Sequence, residues 1–279
     1  MSGKNVIVTG ANAGMGLASA TELARLGAHV IMVCRNQARG EAALKQARKD
    51  SGSTRIDLMN CDLGSLASIR SFSAAFKEKY DRLDVLLNNA GVVTVKRETT
   101  VDGFEAMLGV NHLGHFLLTH ELLELLLRSD QGRIVNLSSG AHKVGCIHFD
   151  DPGLTKGFNV VKGYAQSKLA NILFTKELAR RLNNSTVTVN SVHPGAVSTS
   201  LGVDRKSGFG KSVHKLLNPF FQTPLEGAQT AIYLATSKEV EMVTGEYFIK
   251  CKPAKVSKRA ADPQLAERLW TWSEEQVGL

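Results

Sequence analysis

The sequence predicts an α/β fold in which a parallel sheet is doubly wound, with helices on both faces. Three observations support this prediction. Apolar runs of strand length alternate with longer segments of helical period, a glycine-rich loop follows the first apolar run, and the 279 residues are 43% hydrophobic and 22% charged. This length and composition are typical of a single globular domain, so we expect one Rossmann-type domain over residues 1–279.

The alternation of strands and helices defines the elements in chain order. Strands are predicted at 5–8, 29–33, 55–60 and 83–87, with helices over 15–27, 37–50 and 65–80 between them. The second half continues with a helix over 111–128, a strand at 133–137, a helix over 163–183, a strand at 186–192, a helix over 225–236, a short strand at 246–249 and a tail helix from about 263. Such repetition implies parallel strands joined by right-handed crossovers.

Residues 194–224 interrupt this alternation. They predict a substrate-loop insertion over about 198–224, and residues 252–279 form a C-terminal tail. The loop is too apolar for an ordinary exposed segment, which favours a pocket for an apolar substrate. Its apolar residues are Leu201, Val203, Phe209, Leu216, Leu217, Phe220 and Phe221.

Composition limits the classes of function. No apolar run is long enough to span a membrane, and the first strand begins by Asn5 without a basic and apolar leader. The four cysteines form no C-x-x-C pair, so we expect reduced thiols in a cytoplasmic protein. The net charge is +8, but Lys and Arg are spread along the chain, and this pattern predicts no nucleic-acid partner.

The glycine loop reads TGANAGMG over residues 9–16 and lies between a strand and a helix. Gly10 permits the tight turn, Gly14 lets the backbone approach a pyrophosphate, and Gly16 lets the helix pack close to the strand. Backbone N–H groups and the helix dipole then favour a phosphate. The alternative is that these glycines only mark a loop.

Two strand ends bear on which dinucleotide is bound. Arg35 follows the second strand where an NAD-binding fold has an acidic residue, which favours the 2′-phosphate of NADP over NAD. Alternatively, Arg35 points into solvent. Asp62 follows the third strand, and it either accepts a hydrogen bond from adenine or caps the helix that starts near Ser65.

A second group of motifs adds a resemblance. The chain contains Asn88-Asn89-Ala90-Gly91, Asn111, Ser138-Ser139, the run from Tyr164 to Lys168 and the run from His193 to Thr199. Together they resemble the short-chain dehydrogenase/reductase family, in an NADP-preferring branch similar to retinol dehydrogenases and carbonyl reductases. The resemblance extends from Lys4 to the tail around Trp272. It implies an oxidoreductase that interconverts an alcohol and a carbonyl group.

The resemblance also implies roles for individual residues. The catalytic set is Asn111, Ser139, Tyr164 and Lys168, and Ser139 is chosen over Ser138 because the family phrase from Ile134 ends on it. No metal is expected. The implied cofactor contacts are Gly10, Asn12, Ala13, Gly14, Met15, Gly16, Arg35, Asn36, Asp62, Leu63, Asn89, Ala90, Gly91, Tyr164, Lys168, Pro194, Gly195, Val197 and Thr199.

Two departures from the family pattern concern the substrate. Tyr164 follows Ser139 by 25 residues, about twice the common interval, and the extra stretch is 146–158. The retinol-dehydrogenase-like branch has a similar insertion. Retinol dehydrogenases of membranes usually carry an N-terminal anchor, whereas this chain starts directly at the first strand.

The spacing of the catalytic set suits carbonyl reduction. Tyrosine titrates near pH 10, so a proton-donating Tyr164 needs a neighbouring cation, and Lys168 lies one helical turn further on. Ser139 can donate to the substrate oxygen, and Asn111 can hold a water that links Lys168 to solvent. Taken singly, a Y-x-x-x-K pair occurs by chance and a Ser-Ser pair is a turn signal. The rival functions are a non-catalytic dinucleotide sensor and an NAD-dependent alcohol dehydrogenase.

Other patterns have structural interpretations. His112, His115 and His120 lack acidic or cysteine partners at metal-ligand spacing. His142 and His148 lie near the predicted cleft and are candidates for substrate contact. A leucine stripe predicts either helix core or the contact of a homo-oligomer. Its members are Leu117, Leu118, Leu122, Leu125 and Leu126.

Overall fold

The computed structural model of the protein describes residues 1–195 and 222–279. The strands are β1 (Asn5–Thr9), β2 (His29–Cys34), β3 (Ile56–Asn60), β4 (Val85–Asn88), β5 (Arg133–Leu137), β6 (Thr188–His193), β7 (Tyr247–Ile249) and β8 (Lys252–Pro253). They form one sheet of order β3-β2-β1-β4-β5-β6-β7-β8. The strand order therefore reverses at β1, next to β4, which is where doubly wound sheets bind ligands.

The α-helices are α1 (Gly14–Arg25), α2 (Gln37–Ser51), α3 (Leu66–Lys79), α4 (Ala106–Leu108), α5 (Gly114–Leu127), α6 (Val160–Arg181), α7 (Pro224–Thr236) and α8 (Pro263–Val277). A π turn over Gly109–Leu113 joins α4 to α5. Short 3₁₀ turns cover Gly140–Val144, Lys238–Val240 and Arg259–Ala261.

The predicted doubly wound fold is confirmed, with one difference at the sheet edge. All pairs from β3 to β7 are parallel, but β8 pairs with β7 in the antiparallel direction. The turn between them places Lys250 and Cys251 at positive φ. A strand of two residues is too short to show an alternation of apolar and polar residues, so β8 was not predicted.

The strands bury both faces, as the near-continuous apolar runs require. On one face, Ile7 and Ile31 pack in a cluster with side chains of α3, α5 and α6. On the other face, Val6 and Val8 pack with side chains of α1, α2 and α7. The five leucines of the stripe from Leu117 to Leu126 belong to the first cluster and are at most 2% exposed. The interpretation of that stripe as core is therefore right.

The tail helix α8 extends this cluster outward. The Trp270 ring meets that of Phe116 edge-on at 5.0 Å between centroids and lies 6.0 Å from that of Phe174. Ser273 Oγ is 2.8 Å from Nε2 of the fully buried His112. The tail thus closes over α5 and α6.

One local prediction is wrong, and one of the two alternatives for Asp62 is excluded. The predicted helix over 111–128 begins earlier, at Ala106, because the buried Glu105 carboxylate caps it by accepting from the N–H groups of Met107 and Leu108. Asn111 therefore lies in a π turn within the helical segment and not at a helix start. Asp62 is not the N-cap of α3, because Ser65 is the residue that accepts from Ser68 N.

Candidate active site

The glycine loop forms the floor of a cleft of about 430 Å³. Gly10 and Gly14 have φ values of 66° and 55°, which favour glycine. At Gly16 a Cβ would collide with the carbonyl oxygen of Gly10 and lie 2.5 Å from Asn89 Nδ2. The chain can therefore make this turn only without side chains at these three positions.

The start of α1 is open toward the same cleft. Ala13 at its N-cap position provides no side-chain hydrogen bond, whereas Asn36, Ser65 and Asn159 cap α2, α3 and α6. Uncapped N–H groups at a helix N-terminus favour an anionic group. The loop residues thus fit the pyrophosphate of a dinucleotide.

The cleft brings together most of the cofactor contacts implied by the sequence. These are Gly10, Asn12, Ala13, Gly14, Met15, Gly16, Arg35, Asn36, Asp62, Leu63, Asn89, Ala90 and Gly91. Tyr164, Lys168, Pro194 and Gly195 do not line it, and Val197 and Thr199 lie outside the described residues. Sequence reasoning missed several lining residues, which are Thr9, Val33, Cys34, Arg39, Cys61, Val92, Val93 and Val110.

Two cations and one carboxylate lie at the end of the cleft formed by β2 and β3. The Arg35 side chain is 65% exposed, and its Nη1 is 3.9 Å from Asp62 Oδ2. Asp62 Oδ1 accepts from Gly64 N, which fixes the carboxylate at the end of β3. Arg39 lies in the first turn of α2, where its own N–H is held by Asn36 Oδ1. Arg39 follows Arg35 by four residues, but Arg35 precedes α2, so the spacing alone did not indicate that both cations line the cleft.

A buried network fixes the loop after β4 against β1. Thr9 Oγ1 accepts from the N–H groups of Asn89 and Ala90, each at 2.9 Å, and Asn89 Nδ2 donates to Thr9 O. Nε2 of His115 is 2.9 Å from Thr9 Oγ1, and Nδ1 of His115 is 3.1 Å from Asn111 O. The two motifs, one after β4 and one in the π turn, are therefore held in a single hydrogen-bonded unit.

The Asn111 side chain is fully buried and its bonds reach two elements. Its Oδ1 accepts from Val92 N at 2.7 Å, and its Nδ2 donates to Val92 O and to Ser167 Oγ. Asn111 therefore positions the loop after β4 relative to α6, which carries Tyr164 and Lys168.

Tyr164 and Lys168 lie on one face of α6, as their spacing predicts. Lys168 is 4% exposed, its Nζ lies 5.5 Å from the centroid of the Tyr164 ring, and it donates to Leu137 O at 3.1 Å. A Cβ on Gly91 would be 3.8 Å from Lys168 Nζ. Lys168 thus joins the end of β5 to the rim of the cleft.

The structure separates the two adjacent serines. Ser138 is 2% exposed, and its hydroxyl donates to Lys168 O at 2.7 Å. Ser139 begins the 3₁₀ turn, where its Oγ accepts from Ala141 N, and its side chain interacts with that of Tyr164. Ser138 is therefore engaged within the fold, and Ser139 is the serine that faces Tyr164.

Burial dominates the electrostatics of this group. Desolvation lowers the pKa of Lys168 to about 8, because a buried ammonium loses its hydration. Burial also raises the pKa of Tyr164, and the interaction with Ser139 opposes that rise. The sequence argument expected Lys168 to favour the phenolate. The ammonium lies over the ring and bonds Leu137 O, and its effect on the phenolate stays a prediction.

His112 and His115 are buried, and their side chains bond to Ser273 and Thr9. Burial lowers the pKa of His112 to about 3 and that of His115 to about 4. Within residues 1–195 and 222–279 no group of three or more potential ligand side chains is arranged to hold a metal ion.

Over the same described residues, no helix has the length and apolar character needed to cross a membrane.

Comparison with known proteins agrees with this arrangement. A family model described as short chain dehydrogenase matches residues 4–208. Retinol dehydrogenase 14 of Homo sapiens is 49% identical over 296 aligned residues, which cover 100% of this chain and 88% of that protein. Retinol dehydrogenase 13 of Homo sapiens is 47% identical, with coverage of 99% and 85%.

The chain belongs to the short-chain dehydrogenase family. This short-chain dehydrogenase is thus an oxidoreductase that acts on CH–OH groups. An uncharacterized protein from Mycobacterium paratuberculosis has a similar structure, with a TM-score of 0.81, 34% identity and coverage of 99% and 94% of the two chains. A short chain dehydrogenase from Shigella flexneri, solved in complex with NADP, has a TM-score of 0.71, 26% identity and coverage of 89% and 97%.

Proposed function

We propose that this short-chain dehydrogenase uses NADP(H) to interconvert an alcohol and a carbonyl group on an apolar substrate, with Asn111, Ser139, Tyr164 and Lys168 as catalytic residues. One observation carries the proposal. The nearly buried Lys168 ammonium packs over the Tyr164 ring, while the Ser139 side chain interacts with Tyr164. A proton donor, its neighbouring cation and a hydrogen-bond donor for the substrate oxygen are then in one place.

When bound, the nicotinamide would supply or accept the hydride at the substrate carbon, and the protein side chains would handle the proton. During reduction the Tyr164 hydroxyl gives its proton to the substrate oxygen, and during oxidation the phenolate takes it back. Ser139 donates a hydrogen bond to the same oxygen and fixes its orientation. Because the pKa of Lys168 is about 8, its ammonium can also exchange a proton near neutral pH. Asn111 holds the water that links Lys168 to solvent.

The proposed cofactor contacts follow the lining of the cleft. Gly10, Gly14 and Gly16 would hold the pyrophosphate, and Asp62 would border the adenine. The stretch 89–91 would lie along the ribose. The resemblance adds 194–199 for the carboxamide, although residues 194 and 195 do not line the cleft. A guanidinium makes a charge-assisted bond with a 2′-phosphate, so the placement of Arg35 supports NADP over NAD.

The proposed substrates are apolar aldehydes, ketones and alcohols. Support comes from the apolar composition of the predicted loop 198–224, most of which lies outside the described residues. The relatives named retinol dehydrogenase make retinaldehyde and retinol the first retinoids to assay. We further propose a cytoplasmic location, which is supported by the free thiols of all four cysteines. The predicted homo-oligomer stays a prediction.

The test of the catalytic assignment uses Tyr164→Phe, Ser139→Ala and Ser138→Ala with decanal and NADPH. Tyr164→Phe should abolish turnover and leave the NADPH dissociation constant within a few-fold, because only the transferable proton is lost. Ser139→Ala should reduce the rate on the order of 10²–10³-fold, as expected for the loss of a donor to the reacting oxygen. Ser138→Ala is the matched control and should be mild. Near-parent turnover in Tyr164→Phe, or the reverse order of the serines, would contradict the assignment.

A further inference from the structure

His142 is a buried histidine that the proposed mechanism does not use. It lies in the 3₁₀ turn that begins directly after Ser139 and is 0% exposed. Its Nδ1 is 2.8 Å from Ser139 O. A carbonyl oxygen only accepts, so Nδ1 must carry the ring proton and donate it.

The other ring nitrogen of His142 meets the C-terminal tail. Ser257 N is 3.3 Å from Nε2, and a backbone N–H only donates, so Nε2 is the acceptor. The two partners together require the neutral ring with its proton on Nδ1. Burial lowers the pKa of His142, with a further contribution from Lys143, and this agrees with a neutral ring.

The tail holds the same turn at a second point. The Arg259 guanidinium donates to Gly145 O at 3.0 Å, just beyond the end of the turn. The Tyr247 ring meets the His142 ring edge-on at 5.0 Å between centroids, which closes the space beside it. The segment from Ser139 to Gly145 is therefore held at its middle, through His142, and at its C-terminal end by residues that follow it by more than a hundred positions.

We propose that His142 is a positioning residue that couples the C-terminal tail to Ser139. By donating to the Ser139 carbonyl while accepting from Ser257, it holds the serine backbone so that the hydroxyl stays directed at Tyr164. This inference rests on the proposed role of Ser139. A misplacement of about 1 Å in such a group can reduce turnover on the order of a hundredfold, so a contact that does not touch the substrate can control the rate.

Two substitutions of His142 separate its hydrogen bond to Ser139 O from its hydrogen bond to Ser257 N. In His142→Asn the amide nitrogen replaces Nδ1 and keeps the donation to Ser139 O. In His142→Gln the amide group replaces Nε2 and keeps the partner in the tail. The side-chain donation to Ser139 O is lost, and only the bond from the backbone N–H of residue 142 to that oxygen remains. Both leave similar space around the Tyr247 ring, so their effects on stability should be similar.

With decanal and NADPH, His142→Gln should lower kcat between ten- and a hundredfold with KM and the NADPH dissociation constant unchanged, whereas His142→Asn should stay within about threefold of the parent. Arg259→Met changes an exposed side chain and should lower kcat a few-fold. His29→Gln is the control for loss of a histidine, because His29 bonds Asp57 at the opposite end of its strand from the cleft. It should alter thermal stability only.

A readout independent of turnover is the ¹⁵N NMR spectrum of the histidine rings in the cofactor-free protein, with His142→Asn used for assignment. The expected spectrum shows a neutral ring protonated at Nδ1. The opposite tautomer, parent kcat in His142→Gln, or equal losses in the Asn and Gln variants that follow their melting temperatures would each overturn the proposal. If Ser139→Ala keeps parent turnover, the proposed function fails and the positioning role with it. If that variant is inactive while His142→Gln is not, only the positioning role fails.

Discussion

Replacement of Arg35 by alanine tests the cofactor preference most directly. A charge-assisted hydrogen bond contributes roughly 1.5–3 kcal/mol, and 1.4 kcal/mol corresponds to about a tenfold change in affinity. Two features of the structure favour the lower end. The Arg35 side chain is 65% exposed, and Asp62 Oδ2 at 3.9 Å offsets part of its charge. We therefore expect Arg35→Ala to weaken NADPH binding about tenfold and to leave NADH binding unchanged.

Arg39 provides a second cation in the cleft, so we also predict the NADPH affinity of a variant that lacks both arginines. Arg39 lines the same cleft, so one cation remains when Arg35 is removed. Arg35→Ala combined with Arg39→Ala should approach a hundredfold loss for NADPH. Lys49→Ala is the matched control, because it removes an equal charge from the last turn of α2. Ten residues of helix place it about 15 Å from Arg39, beyond a screening length of about 8 Å.

The assay is a fluorescence titration of both dinucleotides at fixed ionic strength. Equal NADPH and NADH affinities in the parent would remove the basis for the cofactor proposal. An Arg35→Ala protein that binds NADPH as tightly as the parent, or a Lys49→Ala protein that loses as much, would show that Arg35 makes no specific contact. A loss confined to Arg39→Ala would assign the phosphate to α2 alone.

Two further predictions follow from the packing and the electrostatics of the site. Gly16→Ala should lower the free energy of unfolding by about 1–3 kcal/mol and weaken NADPH binding at least tenfold, because its Cβ would collide with Gly10 O. Gly153→Ala is the control in thermal melts and titrations, because its Cβ would meet the movable Arg97 guanidinium at 3.2 Å and Thr155 Cγ2 at an ordinary contact distance of 3.7 Å. Equal behaviour of the two variants would contradict the argument. Lys168 has a pKa of about 8 when folded and about 10.4 when unfolded, so the unfolded state binds more protons between these values. Its contribution to stability therefore increases as the pH rises from about 8 to 10, by about 3 kcal/mol at most. The free energy of unfolding in urea is measured from pH 8 to 10 for the parent and for Lys168→Met, and the difference between the two isolates this increase. A difference that does not change with pH would refute the prediction.

Much of the fold followed from periodicity. The strand at 133–137 was predicted with its exact limits, and the start of α8 at Pro263 agrees with the expected start near 263. The start of α4 was missed because Glu105 caps it from a buried position, and neither burial nor a π turn leaves a local pattern. The tail's contacts with α5 and α6 depend on pairs far apart in sequence, such as His112 with Ser273.

The glycine loop was predictable in the same way, because the residue type itself reports the backbone requirement at Gly10 and Gly14. Arg39 and the two serines show the limit. In the sequence Arg39 cannot be distinguished from the other surface cations, and its place in the cleft is evident only from the position of α2 in the structure. Ser138 and Ser139 have the same chemistry, and the resemblance alone selected Ser139 in the sequence, whereas their different hydrogen bonds distinguish them in the structure. The roles assigned to these residues stay predictions.

The position of α8 bears on when the enzyme becomes competent during synthesis. Residues 263–277 cover the aromatic cluster on α5 and α6, and Ser257 reaches back to the turn after Ser139. Tyr164 leaves the ribosome before these residues exist, and at about 5–20 residues per second the remaining hundred or so take several seconds to make. During that interval the Phe116 and Phe174 rings lack their contacts with Trp270, and the turn after Ser139 lacks its bond from Ser257. The aromatic cluster and the anchoring of this turn are therefore completed only once residues 257–277 dock.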